Sequence, residues 1–268
     1  MRVGVSVKMR EGGYDRFGTE KYNRIKSHGF DCVDFDMCNI NHMLYQLEER
    51  DFKKYLTAEK ILSQQAGVEI FQTHGPWGWP IKDLEKADLE DKLKKMEKSI
   101  RATAILGCKY WVIHPLMPYL FDDIKQGKEK ETWEINLSFM PKLLEIAKKY
   151  DVTVCLENTP FSDYSIATPE QVLKLINEIN DESLQMCFDT GHIAAFGERF
   201  PGNIVRMMSD KIKVLHVHDN GGENDEHLPP FDGIIDENIE TILRGFGLKE
   251  VVTIIYSIIN YWFSQINF

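Results

Sequence analysis

No stretch of this 268-residue sequence stays apolar for long enough to cross a membrane, so a soluble chain with no membrane partner is expected. The N-terminus, MRVGVSVKMREGGYD, lacks the longer apolar core of a secretory signal and ends its short alternating run in charge, which makes a cytoplasmic location the expectation. Basic residues are in deficit: 32 Lys and Arg against 42 Asp and Glu leave a formal net charge of −10. Such a surface repels a phosphate backbone unless cations gather on one face. No basic cluster is visible, so nucleic acid is not an expected partner. Cysteine is sparse as well. Cys32, Cys38, Cys108, Cys155 and Cys187 show no CxxC spacing, and three lie in or beside apolar runs, which argues for buried thiols over a disulfide framework. No GxGxxG turn follows the first apolar run, and no Pro- or Ser-rich linker divides the chain. One domain over residues 1–268 is therefore expected.

What the sequence does have is a repeated unit. RATAILGCKYWVIHPL, LLEIAKKYDVTVCLENTP and VLKLINEINDESLQMCFDTGH each read as helix, turn, buried strand and then polar residues. Leu89, Leu93, Met96, Ile100 and Ala104 recur at helical spacing and share one face of a helix that Gly107 ends. Strand candidates are RVGVSVK, FDCVDFD, VEIFQTH, KYWVIHP, VTVCLEN, LQMCFDT, KVLHVHD and VVTIIY, eight in all. Eight such units predict an α/β fold, the (β/α)8 TIM barrel. An open doubly wound sheet is the alternative, and it lacks its glycine-rich turn.

In such a barrel the C-terminal ends of the strands converge on one face. Here those ends carry His74, His114, Glu157, Asp189 and His216, and the following loops add His192, Asp225 and His227. With His218, six of the eight histidines fall on one predicted rim. A lone histidine is usually packed or solvated, but this many beside carboxylates point to a metal site. Imidazole and carboxylate together suit zinc, manganese, cobalt or iron better than calcium or magnesium. Asp189 at its strand end can bind metal or cap the next helix, and Gly191 is expected to permit a tight bend toward His192.

The segments THGP at His74, VIHP at His114, LENTP at Glu157, FDTGH at Asp189 and His192, LHVHDN at His216, and DEHLPP at Asp225 and His227 resemble the xylose isomerase-like barrel superfamily. That group joins sugar isomerases and epimerases with the type IV apurinic endonucleases, and the resemblance runs from the first strand to about Val252. It implies a divalent metal (manganese, cobalt, zinc or magnesium) held by Glu157, Asp189 and His216, with Asp219 as an acceptor behind the ligands. A fourth ligand, a glutamate after strand eight, would fall near Ile255. The sequence there reads IIYSIINYWFSQINF, and Glu250 is the last acidic residue. The last helix is accordingly expected to be incomplete.

The resemblance further implies a metal-dependent isomerase or epimerase acting through an enediolate, with a small-molecule sugar or sugar phosphate as partner. Glu157 would serve as ligand and as acid or base, and His192 would bond a substrate hydroxyl or carbonyl. Trp77 and Trp79 could stack on the sugar or close the barrel mouth, core packing being the other role. An endonuclease IV-like zinc phosphodiesterase is the competing reading: His74, His114 and Glu157 match its first site, and His192, Asp225 and His227 its third. The second site would again lack its glutamate. A third reading is a barrel that binds sugar or metal without catalysis. The acidic charge and the lack of a basic, aromatic loop set favour the isomerase.

Overall fold

A computed structural model of the chain describes residues 3–8, 19–77, 86–119, 122–208, 210–236 and 252–253. All eight strand candidates are strands: β1 (Val3–Lys8), β2 (Cys32–Asp36), β3 (Glu69–His74), β4 (Tyr110–Ile113), β5 (Thr153–Glu157), β6 (Leu184–Asp189), β7 (Ile212–His216) and β8 (Val252–Thr253). They form one parallel sheet in the order β7-β6-β5-β4-β3-β2-β1-β8. Its end strands β7 and β8 lie side by side, so the sheet curls round as a TIM barrel. Between the strands run α1 (Thr19–Ser27), α2 (Met43–Gln46), α3 (Glu49–Gln65), α4 (Lys86–Leu106), α5 (Glu129–Lys149), α6 (Pro169–Ile179), α7 (Thr190–Ala194) and α8 (Pro201–Met208). Among the described residues no helix is long and apolar enough to cross a membrane.

Strand residues are apolar on both faces because each face meets a different core. Phe35, Trp111, Leu156 and Phe188 turn outward and pack with the helices, where α4 contributes the Met96 and Ile100 stripe. Burying each such side chain stabilises the fold by roughly 1.5–3 kcal/mol relative to exposure. Val112, Cys155, Cys187 and Val214 turn inward and plug the barrel beneath its polar mouth. All five cysteines are free, and only Cys38 is not fully buried.

Local chemistry sets the element ends. Gly107 stops α4 at φ +81°, a conformation that costs glycine little. Thr168 opens α6 with a capping box to Gln171, Pro169 takes the first turn, and Asn180 closes the helix in the left-handed region. Trp79, Ile255 and the expected incomplete last helix lie outside the described residues.

Candidate metal centre

The strand ends carry the donors, as expected. Glu157 closes β5, Asp189 closes β6, His216 closes β7 and His74 closes β3. His114 follows β4 directly, His192 sits in α7, and Asp225 and His227 lie in the loop after β7. Of its two expected options, Asp189 takes the capping one and keeps its second oxygen turned toward the histidines. Its Oδ1 accepts the His192 backbone N–H at 2.9 Å and caps α7, while Oδ2 faces His216 Nδ1 at 3.6 Å.

Glu157 is the hub, and only 1% of it is exposed. Its Oε2 lies 3.1 Å from His74 Nε2 and 3.0 Å from His114 Nε2, and its Oε1 lies 2.5 Å from His216 Nδ1. One oxygen of Glu157 and one of Asp189 approach within 4.8 Å of each other. Trp77 stands edge-on to the His114 ring at 5.2 Å, on the wall of this space.

A second donor group adjoins the first. His192, His218, Asp225 and His227 each bring a ligand atom within 4.8 Å of the others. His227 Nε2 is 3.1 Å from Asp225 Oδ2, His192 Nε2 is 3.6 Å from the same oxygen, and the His218 and His227 rings stack at 4.0 Å.

Two rings are already set for ligation by the bonds behind them. His74 Nδ1 donates to the Gly75 carbonyl at 3.0 Å, and His192 Nδ1 donates to the Asn158 carbonyl at 2.7 Å. With Nδ1–H committed to a carbonyl, Nε2 of each ring, facing Glu157 or Asp225, is the atom whose proton a cation would displace. The buried Nδ1 atoms of His114, His218 and His227 have no hydrogen-bond partner among the described residues. A donor set of imidazoles and carboxylates in this arrangement fits a divalent transition metal.

Electrostatics agree with a cation-seeking pocket. Burial works against the charged imidazolium at His74, but the bond and charge of Glu157 hold the ring up at about 9. At His192 burial is likewise outweighed, by Asp189 and Asp225, and the ring also sits at about 9. Burial acts against ionisation of Glu157, yet His216 and His114 hold its carboxyl well below the usual range. Asp189 is held low in the same way by His192 and His218.

Two expectations change. Asp219 does not back a metal ligand: it accepts the N–H groups of Asn220, Gly233 and Ile235 at 2.8, 3.1 and 3.2 Å and folds its own loop. Gly191 is not needed for an unusual backbone bend, since it is not among the positive-φ glycines; it is needed because the His218 ring packs onto its α-carbon. Sequence reasoning also missed three supports. Asn158 clamps β5 to β6 through the Asp189 peptide at 2.8 and 3.0 Å, and Asn220 Oδ1 accepts the His227 N–H at 3.0 Å. Gln72 Nε2 lies 2.8 Å from His216 Nε2. The only signal for the two asparagines was their place close behind strand ends, Asn158 directly after β5 in LEN and Asn220 four residues past β7 in HDN.

This chain is similar to proteins of differing description. An uncharacterized protein, MJ1311, of Methanocaldococcus jannaschii is 29% identical over 88% of this chain and 78% of its own. A probable endonuclease 4 of Mycoplasmopsis pulmonis is 26% identical over 74% and 72%. Among solved structures, a D-tagatose 3-epimerase-like protein matches with a TM-score of 0.73 and 26% identity, over 95% of this chain and 90% of that one. The IOLI protein, solved with a bound zinc atom, shares the fold at a TM-score of 0.67 and 17% identity, over 95% and 88%. With the strand order, the polar barrel mouth and a family model matching residues 22–257, the chain belongs to the xylose isomerase-like TIM barrel family.

Proposed function

We propose that this protein is a metal-dependent sugar isomerase working through an enediolate, with Glu157, Asp189 and His216 as the principal metal ligands. The observation that carries this reading is the position of His216 Nδ1, 2.5 Å from Glu157 and 3.6 Å from Asp189 in a space closed to solvent. A divalent cation held there supplies the positive charge that polarises a carbonyl.

The chain's own residues supply the remainder. Glu157, kept ionised by His216 and His114, takes the carbon-bound proton and returns it to the neighbouring carbon. His192, with Nδ1 pinned on the Asn158 carbonyl, turns Nε2 into the space to bond a substrate hydroxyl. Trp77 gives the sugar an apolar wall beside His114. Transfer on one face of the enediolate asks for one base, as in aldose–ketose isomerisation. Epimerisation needs a second base on the opposite face, and the residue implied for that role is absent near Ile255. Isomerisation is therefore favoured over epimerisation.

Deuterium incorporation tests this directly. Protein loaded with zinc, manganese or cobalt is incubated in D2O with aldoses, ketoses and their phosphates. Incorporation at a carbon beside the carbonyl, lost in Glu157→Gln, is expected.

The adjoining group of His192, His218, Asp225 and His227 favours a second reading, a polynuclear phosphodiesterase. Nicking of abasic duplex DNA by metal-loaded protein, with no deuterium entering any sugar, would put this reading in place of the first.

A further inference from the structure

Two buried oxygens beside the metal centre have no partner among the described residues: Gln72 Oε1 and Asp34 Oδ1. Both residues are closed to solvent, at 0% and 1% exposure. They are register partners on adjacent strands, Asp34 of β2 beside Gln72 of β3, so their side chains leave the sheet next to each other. Gln72 reaches His216, and the Asp34 carboxyl feels the charge of both His216 and His74, so both side chains point into the barrel. Burial is the main force on that carboxyl and pushes it up to about 7. An acceptor of this kind left unmatched carries the full desolvation penalty of its group.

One change addresses both. The oxygen and nitrogen of a glutamine amide are assigned from their neighbours, and a half-turn exchanges them. Turned over, the amide presents its NH2 where the unpartnered Oε1 stood, beside its register neighbour Asp34, and Oε1 accepts an N–H from His216 Nε2 across the existing 2.8 Å contact. A neutral imidazole that carries its proton on Nε2 has its lone pair on Nδ1. That atom is the one facing Glu157 and Asp189.

We infer that Asp34 and Gln72 form a positioning relay for His216: the Asp34 carboxylate orients the Gln72 amide, and the amide holds His216 with Nε2 protonated and Nδ1 free to ligate. The inference rests on the metal site proposed above. Neither residue touches the cation; both act through the ring. Gln72 thereby fills the place that the sequence suggested for Asp219.

The test uses zinc and the full chain. Gln72→Leu should weaken zinc binding about 10–100-fold, the usual effect of removing a partner of a ligating histidine. The double variant Asp34→Asn with Gln72→Glu keeps the relay with its donor and acceptor exchanged, and should return affinity to within about threefold of wild type by the same reasoning. In the zinc-loaded wild type, 15N NMR should show His216 protonated at Nε2 and zinc-bound at Nδ1. Because this last reading needs no variant, a misfolded Gln72→Leu does not blunt the test. Failure of the wild type to bind zinc would sink the metal site itself. Zinc binding with His216 unprotonated at Nε2, or with unchanged affinity in folded Gln72→Leu, would sink the relay alone.

Discussion

A β-carbon placed on Gly191 would lie 2.0 Å from Cε1 and 2.1 Å from Nδ1 of His218, so the first turn of α7 and the histidine two residues past β7 occupy adjoining space with nothing to spare. His218 cannot yield freely, being stacked on His227 and held at 3.0 Å from Asp189 Oδ1. Gly191→Ala should therefore destabilise the protein by about 1–3 kcal/mol, the range for overfilling a packed interior. Urea denaturation measures it; a stability equal to wild type would mean that the ring is not where this packing puts it.

Asp189→Ala removes a ligand and the α7 cap together. Loss of the cap alone should cost about 1 kcal/mol. Metal content, measured by elemental analysis after dialysis, should fall by more than about 10-fold, since loss of a ligand exceeds loss of its outer support. Wild-type stoichiometry in this variant would exclude Asp189 from the metal site. Asp189→Asn retains the capping oxygen and separates the two effects: stability should recover while metal binding stays weak.

Metal binding should strengthen as pH rises. The His74 and His192 imidazoles are raised from the ordinary 6.5 to about 9 because their carboxylate neighbours outweigh burial. Protons on these rings compete with a cation for the same donor set. Affinity should thus climb between pH 6.5 and 9, read by chelator competition. The metal-free protein should behave in the opposite sense. A raised folded-state pKa contributes stability that is full below the unfolded value and lost as pH rises through the folded one. Unfolding titrations of metal-free protein should therefore show stability declining over the same window. A rise, or a flat profile, would contradict the charged imidazoles.

Duplex DNA should bind weakly at physiological salt. With a formal net charge of −10, the chain has few cations to displace counterions from a phosphate backbone. Fluorescence anisotropy at two salt concentrations reads this, and tight, salt-sensitive binding would move the balance to the phosphodiesterase reading.

All eight strands were legible in the sequence because a strand buried on both faces is a continuous apolar run, and each run ends where side chains leave the core. His74, Glu157, Asp189 and His216 could be placed on one rim for the same reason: the last residue of a parallel strand has a fixed end of the barrel to occupy. That much is decided within a few residues of chain. Which atoms meet is not. Gln72 and His216 are 144 residues apart, and their contact depends on how barrel closure rotates β3 and β7 toward the axis. Asp219 sits three residues past the end of β7, yet its oxygens turn to the loop amides that fold over it. Gly191 read in the sequence as the residue permitting a tight bend and proved to be a surface for the His218 ring. Strand period assigns a residue to a face, but the angle around the barrel and the rotamer follow from packing against strands distant in sequence, and those contacts exist only in the folded chain.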